Sequence, residues 1–430
     1  MPSPTATEPV PDPQALQSGL GEARRRTLEL VEPIGTADLE RVHSPLMSPL
    51  AWDLGHIAAF EDLWLVHRHA GEPMERRDLA EVYDAFETPR SGRGDLPFLR
   101  HDEALEYLRR VRERALAALE RAGPGDGLLH EMVIRHEHQH NETMLQTIEL
   151  ARLAHEPLRR APAPPAPGGG LTGLEPVEVP AGAFELGARP GFAYDNERPR
   201  HVVDLPAFRI GRTPITNATF LSFVEGGGYE RRELWAEEAW RWKEEYDISR
   251  PMHWSDDGRE WRIGGWEPLH PDRPVVHVSW FEADAFARAH GARLPAEPEW
   301  ERAAAWDQQT GAALRYPWGD EPPQPRHANL DQLAFGPEPV AAHPDGASPA
   351  GCLGMLGDVW EWTSTPFDGY PGFAAHPYRE YSEVFFGQGH RVLRGGSWAT
   401  RSRVATPSFR NWDLPQRRQI FAGVRLAWDA

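Results

Sequence analysis

The chain has 430 residues, 40% of them hydrophobic and 26% charged, a mix that suits two or three globular domains. Its net charge of −19 argues against nucleic acid or an anionic membrane surface as a partner. One cysteine, Cys352, excludes an intramolecular disulfide framework and any cysteine-rich metal site. The opening "MPSPTATEPVPDPQ" lacks the basic and apolar regions of a signal peptide, and no apolar run approaches the roughly 18 residues of a membrane helix. The expectation is a soluble cytoplasmic protein.

Residues 14–155 read as four helices. "QALQSGLGEARRRTLELVE" is the first. "SPLAWDLGHIAAFEDLWLVHRHAG" is the second, with Ser48 as N-cap, Pro49 in the first turn and Gly71 just past the end. "DEALEYLRRVRERALAALERAG" is the third, apolar at Leu105, Leu108, Val111, Ala115 and Leu119 and stopped by Gly123 and Pro124. "GLLHEMVIRHEHQHNETMLQTIELARLA" is the fourth, and together they predict a four-helix bundle. A Pro/Gly-rich linker, residues 156–174, contains "APAPPAPGGG" and cannot continue a helix. Residues 175–430 predict an α+β domain with much loop. In it, "VEVPAGAFELGA" and "HVVDLPAFRIG" read as short strands. A helix starts at Asn217, and "FEADAFARAHG" and "EPEWERAAA" are further helices.

The fourth helix carries His136-Glu137-His138-Gln139-His140, which fits the H-E-x-x-H pattern of zinc proteases. On a helix, His136 and His140 stand one above the other, roughly 40° apart around the axis. Leu129, Val133, Thr143 and Met144 share that face and predict a buried stripe. Buried histidines need hydrogen-bond partners or a metal, and satisfied core histidines are the plain alternative. The protease reading fails on context. A metzincin needs Gly at 143 and His at 146, where this chain has Thr143 and Gln146. The other class takes a glutamate from a later helix, whereas here a linker follows. Glu137 and Glu142 lie roughly 100° and 200° around the helix from the neighbouring histidine and do not join the ligand face. A third ligand is available on the second helix, where His56 is in line with Ala59, Phe60 and Leu63. Three imidazoles with one side open resemble the facial triad of non-haem iron(II) oxygenases, although imidazole also suits zinc.

"WDLGHIAAFE" with "HEHQHNETMLQ" resembles the DinB-like bundle of the sulfoxide synthases of ergothioneine biosynthesis. "VEVPAGAFELG", "RLPAEPEWERAA", "GDVWEWTSTPF", "RVLRGGSW" and "FAGVRL" resemble a formylglycine-generating-enzyme-like domain, which has a C-type-lectin-like core. Together the two resemblances cover nearly the whole chain. Formylglycine generation itself needs paired cysteines, so the second domain is expected to supply a substrate-binding wall for the bundle. The resemblance implies an Fe(2+)-dependent enzyme that uses O2 to join γ-glutamylcysteine to C2 of hercynine (Nα-trimethylhistidine) as a sulfoxide. It implies His56, His136 and His140 as iron ligands, and Asp413 and Arg417 of "NWDLPQRR" as the grip on the amino-acid part of the thiol. It makes Arg90 the partner of a thiol carboxylate, with Arg93 as the fallback. Gln139, Asn411 and Trp412 match hercynine contacts. In "PYREYS", Tyr378 matches a proton donor and Tyr381 a hercynine contact. "GDVWEW" and "RGGSW" read as structural, their tryptophans as core anchors. The alternatives are the same chemistry with cysteine or a selenium donor, a zinc-dependent DinB-like thiol S-transferase, and a pure binding module. The last leaves the three histidines unexplained.

Overall fold

The computed structural model describes residues 12–153 and 170–430; the linker prediction falls largely outside them. The chain forms two compact units, residues 1–158 and 159–430. Among the described residues no helix is long and apolar enough to cross a membrane.

The first unit is helical. Its elements are α1 (Pro13–Val31), α2 (Thr36–Leu39), α3 (Leu50–Glu61), α4 (His101–Ala122) and α5 (Leu128–Leu150). Helix α1 packs on α5, and α3 packs on both α4 and α5. The apolar period places Leu20, Ala23, Leu30, Leu108, Val111 and Ala115 in the core. Gly123 ends α4 at φ 71°, as a residue without a Cβ can. Two expectations need correction. Pro49, not Ser48, is the N-cap of α3, because the Ser48 hydroxyl instead accepts a hydrogen bond from Arg93 Nη1 at 2.7 Å. The second helix also does not run on as regular α-helix. It passes into a π-helical stretch, Asp62–His69, where the Asp62 carboxylate accepts the backbone N–H groups of Glu75 and Arg76 and the Tyr107 hydroxyl.

Each of the four long helices contributes one charged residue to a buried ring. Arg24 of α1 donates to Glu137 of α5 at 2.8 Å and to Glu61 of α3 at 2.7 Å. Arg112 of α4 donates to Glu61 at 2.5 Å and to Glu137 at 2.9 Å. Burial alone would raise the Glu137 carboxyl, but the two guanidinium groups outweigh it and hold the carboxyl below its usual range. Thr27 also donates to Glu137, at 2.8 Å. A charge out of water is tolerated when it is paired and hydrogen-bonded in this way.

The second unit is α+β. Strand β4 (Phe208–Gly211) pairs with β1 (Pro176–Val179) on one side and β13 (Ala427–Asp429) on the other, and β2 (Gly182–Leu186) pairs with β3 (His201–Leu205). Two short hairpins follow, β5 (Arg259–Arg262) with β6 (Gly265–Pro268) and β7 (Trp306–Asp307) with β8 (Ala312–Ala313). A four-stranded sheet runs in the order β11 (Asn411–Asp413), β10 (Arg391–Arg394), β9 (Trp360–Pro366), β12 (Ala422–Gly423). The helices are α6 (Asn217–Glu225), α7 (Glu237–Glu245), α8 (Trp280–Ala289) and α9 (Glu297–Ala305). Helix α6 starts at Asn217 with Thr216 as its cap. The tryptophans of "GDVWEW" and "RGGSW" are core anchors: Trp360, Trp362 and Trp398 are buried. Between them Glu361, fully buried, takes both Arg425 bonds at 2.7 Å and the Trp300 indole N–H at 2.6 Å. That network secures β9, which pairs with β10, the strand that in turn pairs with β11 (Asn411–Asp413).

Candidate metal centre and substrate residues

In the helical unit, α3 and α5 bring His56, His136 and His140 together. One nitrogen from each lies within 4.8 Å of the others. The Nε2 atoms of His56 and His136 are 3.1 Å apart. Burial, reinforced by the neighbouring imidazoles, holds the pKa of His56 and of His136 well below the ordinary histidine value. Neutral imidazoles are what a metal requires, since a protonated ring nitrogen has no lone pair to give.

The sequence around each histidine fixes its ring. His56 directs Nδ1 to the Tyr83 carbonyl at 2.8 Å, so its other nitrogen faces the cluster. Tyr83 approaches α3 because position 55 is glycine; a Cβ there would lie 2.1 Å from the Tyr83 ring. Trp52, one turn before His56, stacks on its ring at 4.9 Å, and the Arg93 guanidinium lies 3.8 Å over Trp52. Phe60, one turn after His56, stacks on His136 at 3.7 Å with an interplanar angle of 9°. His140 Nδ1 faces Asp53 Oδ1 at 3.4 Å.

The expectation of a buried stripe on the His136/His140 face holds only in part. Val133 and Met144 are buried, but Leu129, His136, His140 and Thr143 are half-buried. The most buried side of α5 carries Glu137, His138 and Asn141 instead. Charge pairing allows Glu137 to be buried there beside the apolar Ile134, Leu145 and Ile148. Glu137 is therefore committed to Arg24 and Arg112, and His138 pairs with Glu22 at 3.2 Å. With both oxygens held by arginines, Glu137 is not available as the general base that an H-E-x-x-H zinc protease requires, which counts against the protease reading. Arg90 is half-buried in the 3-10 segment Arg90–Asp95. Arg93 is buried, with Nε, Nη1 and Nη2 donating to Thr88 O, Ser48 Oγ and Ala85 O. Its guanidinium is engaged inside the unit, which leaves Arg90 as the stronger candidate for a substrate carboxylate. Gln139 is half-buried, one residue before His140.

In the second unit, β11 pairs antiparallel with β10, Trp412 opposite Val392 and Asp413 opposite Arg391. Trp412 stacks on Phe367 at 4.1 Å. Tyr381 meets Trp412 edge-on at 5.9 Å, and Tyr378 meets Tyr381 edge-on at 6.1 Å. Asp413 and Arg417 pair at 3.5 Å. Asn411 starts the strand and accepts the Trp412 N–H at 2.9 Å. Sequence reasoning missed what holds the tyrosine loop. Tyr194 stacks on Tyr381 at 4.2 Å, while the Ser382 hydroxyl donates to Asp195 and accepts from Asn196 Nδ2. "YDNE" carries no spacing that points to a loop nearly two hundred residues away.

The DinB superfamily matches residues 20–144, and the sulfatase-modifying factor enzyme 1-like domain matches residues 169–430. The chain is 49% identical to the hercynine oxygenase of Mycolicibacterium thermoresistibile, over 98% of this chain and 96% of that one. This chain belongs to the hercynine oxygenase family. It is 48% identical to the hercynine oxygenase of Mycobacterium tuberculosis, over 97% of this chain and 99% of that one. The formylglycine-generating enzyme of Streptomyces coelicolor is 33% identical over 59% of this chain and 89% of that enzyme. That relative shares the second domain, but Cys352 is the single cysteine here and is fully buried, so a cysteine-pair mechanism has no basis in this chain.

Proposed function

We propose that this hercynine oxygenase family member joins the sulfur of γ-glutamylcysteine to C2 of the hercynine imidazole, giving the sulfoxide. The single observation that carries the reading is the cluster of three imidazole donors on two packed helices. It is an all-nitrogen donor set suited to a first-row transition metal, and His56, His136 and His140 would hold iron(II). Iron(II) supplies the O2 activation that neither thiol nor imidazole has alone. The reaction balances without an outside reductant. One oxygen atom ends on sulfur, and the other leaves as water with the thiol proton and the ring C2 proton. The reading includes a cytoplasmic location, where free thiols stay reduced. Anaerobic loading with iron(II), then O2 and mass spectrometry of the products from hercynine plus γ-glutamylcysteine or cysteine, tests it. Faster turnover with cysteine would replace the donor, and product formed with zinc alone would replace the chemistry.

The chain's own residues divide the work. Arg90 and the Asp413/Arg417 pair take the charged ends of the dipeptide, where an arginine fork suits a carboxylate. Gln139, Asn411, Trp412 and Tyr381 position hercynine, and aromatic faces attract its trimethylammonium group. Arg417→Ala is expected to raise KM for γ-glutamylcysteine by about 10- to 150-fold, the equivalent of a charged hydrogen bond of about 1.5–3 kcal/mol. Steady-state kinetics in both substrates check this. KM for hercynine stays near its original value, and an equal loss for both would count against a thiol-specific grip.

Tyr378 holds a proton at its phenol oxygen, would lend it to the reduced oxygen as the C–S bond forms, and would recover it from the ring C2–H, so that the overall balance is unchanged. Without that proton, O2 is spent on the thiol alone and yields a sulfinic acid. Tyr378→Phe keeps the ring and its edge contact with Tyr381 but removes the donor. The expected result is unchanged iron loading, with product diverted from sulfoxide to sulfinate. Quantifying both products by mass spectrometry alongside O2 uptake checks it; an unchanged ratio transfers the role to Tyr381.

A further inference from the structure

Asp53 lies one turn before His56 on α3, and its side chain is 1% exposed. Neither of its oxygens has a hydrogen-bond partner among the described residues, and neither does His140 Nδ1. These orphaned atoms face each other: Asp53 Oδ1 is 3.4 Å from His140 Nδ1. A buried carboxylate with no donor is costly and is retained only where something needs it. Glu61, also buried on α3, is by contrast fully engaged with Arg24 and Arg112. Asp53 is not part of that ring. The nearby cation, Arg93, donates elsewhere, to Thr88, Ser48 and Ala85.

We propose that Asp53 is a positioning residue for the metal centre, accepting the Nδ1–H of His140 and thereby fixing the tautomer that presents Nε2 to the metal. This rests on the reading of His56, His136 and His140 as the metal ligands. Three considerations support it. His56 already has its remote nitrogen on the Tyr83 carbonyl, and His136 is held by the Phe60 stack, so His140 is the ligand that still needs an orienting partner. Three neutral imidazoles leave a divalent ion's full charge in a low-dielectric site. A carboxylate one imidazole away offsets part of that charge without occupying a coordination position. The anion that a two-histidine, one-carboxylate triad places on the metal is here placed behind it, which keeps the open face free. Finally, an aspartate that is costly in the metal-free chain and favourable in the loaded one makes metal binding more favourable overall.

The test uses the full chain and the variants Asp53→Asn and Asp53→Ala. Iron(II) affinity is measured anaerobically by competition with a chromophoric chelator. The melting temperature is measured metal-free, and the His140 tautomer is read from imidazole nitrogen NMR shifts. Removing a partner of a metal-bound histidine typically weakens metal binding by about 10- to 100-fold. The expected order is parent tightest, then Asp53→Asn, whose amide oxygen can accept the bond without the charge, then Asp53→Ala. The metal-free melting temperature of Asp53→Asn is equal to or above the parent's, because a buried unpaired charge has been removed. In the parent, His140 is the Nδ1–H tautomer; in Asp53→Ala the two tautomers mix. If Asp53→Ala fails to fold, Asp53→Asn decides. Iron affinity within threefold of the parent in a folded variant overturns the role of Asp53 while leaving the ligand assignment intact. An affinity loss that tracks a fall in metal-free stability overturns it as well. A parent chain that binds no iron overturns both readings.

Discussion

Replacing His136 with alanine is expected to leave a folded chain that retains almost no iron and forms no sulfoxide. Its imidazole is stacked on Phe60 at the edge of the bundle and takes no part in the Arg24–Glu61–Arg112–Glu137 ring, so the fold does not depend on it. Two imidazoles cannot reproduce a three-donor face, and the loss is larger than any effect expected from a substrate contact. His56→Ala and His140→Ala are expected to behave alike. His138→Ala is the matched control. It lies on the same helix but pairs with Glu22, so it loses that contact and keeps the metal. Iron content by absorption spectrometry, with circular dichroism on the same samples, checks the set. Normal loading in His136→Ala would remove it from the ligand set.

The second large effect is on stability. Glu137→Ala leaves Arg24 and Arg112 buried with only Glu61 to share, and the expected cost is about 3–5 kcal/mol, typical of breaking a buried pair from one side. Arg112→Ala strips one partner from each carboxylate and is expected to fall in the same range. Replacing the ring as a whole by apolar residues of similar volume is expected to cost far less, because no charge is then left alone. Chemical denaturation of metal-free protein checks this. A Glu137→Ala midpoint close to the parent's would mean that water reaches the ring.

Much of this was legible in the residues. The 3.6-residue period and the Gly123 stop located α4, and the i,i+4 spacing placed His136 and His140 on one face. Asp413 and Arg417 are singled out through the resemblance of "NWDLPQRR" and not through any periodicity; in the structure they lie 3.5 Å apart. Other features were hidden for physical reasons. A period of apolar residues cannot show that the deepest side of α5 is charged, because the compensating arginines come from α1 and α4. Nor can a cap preference show that Ser48 has a better partner in Arg93, 45 residues on. Asp53 reads locally as a helix-start acid in the first turn of α3; only packing against α5 sets it beside His140.

The charged ring also bears on the order in which the bundle can close. During synthesis, α1, α3 and α4 emerge before α5. At that moment the three helices hold two guanidinium groups, Arg24 and Arg112, against one carboxylate, Glu61. A three-helix intermediate packed as in the finished unit would bury an unmatched positive charge, so it gains little from closing early. Glu137 arrives with α5 and brings the sum to zero. It sits next to His136 in the chain, so the residue that makes closure favourable is adjacent to a member of the three-histidine cluster. Docking of the final helix and assembly of the histidine cluster are thereby one event, and a bundle lacking α5 has neither.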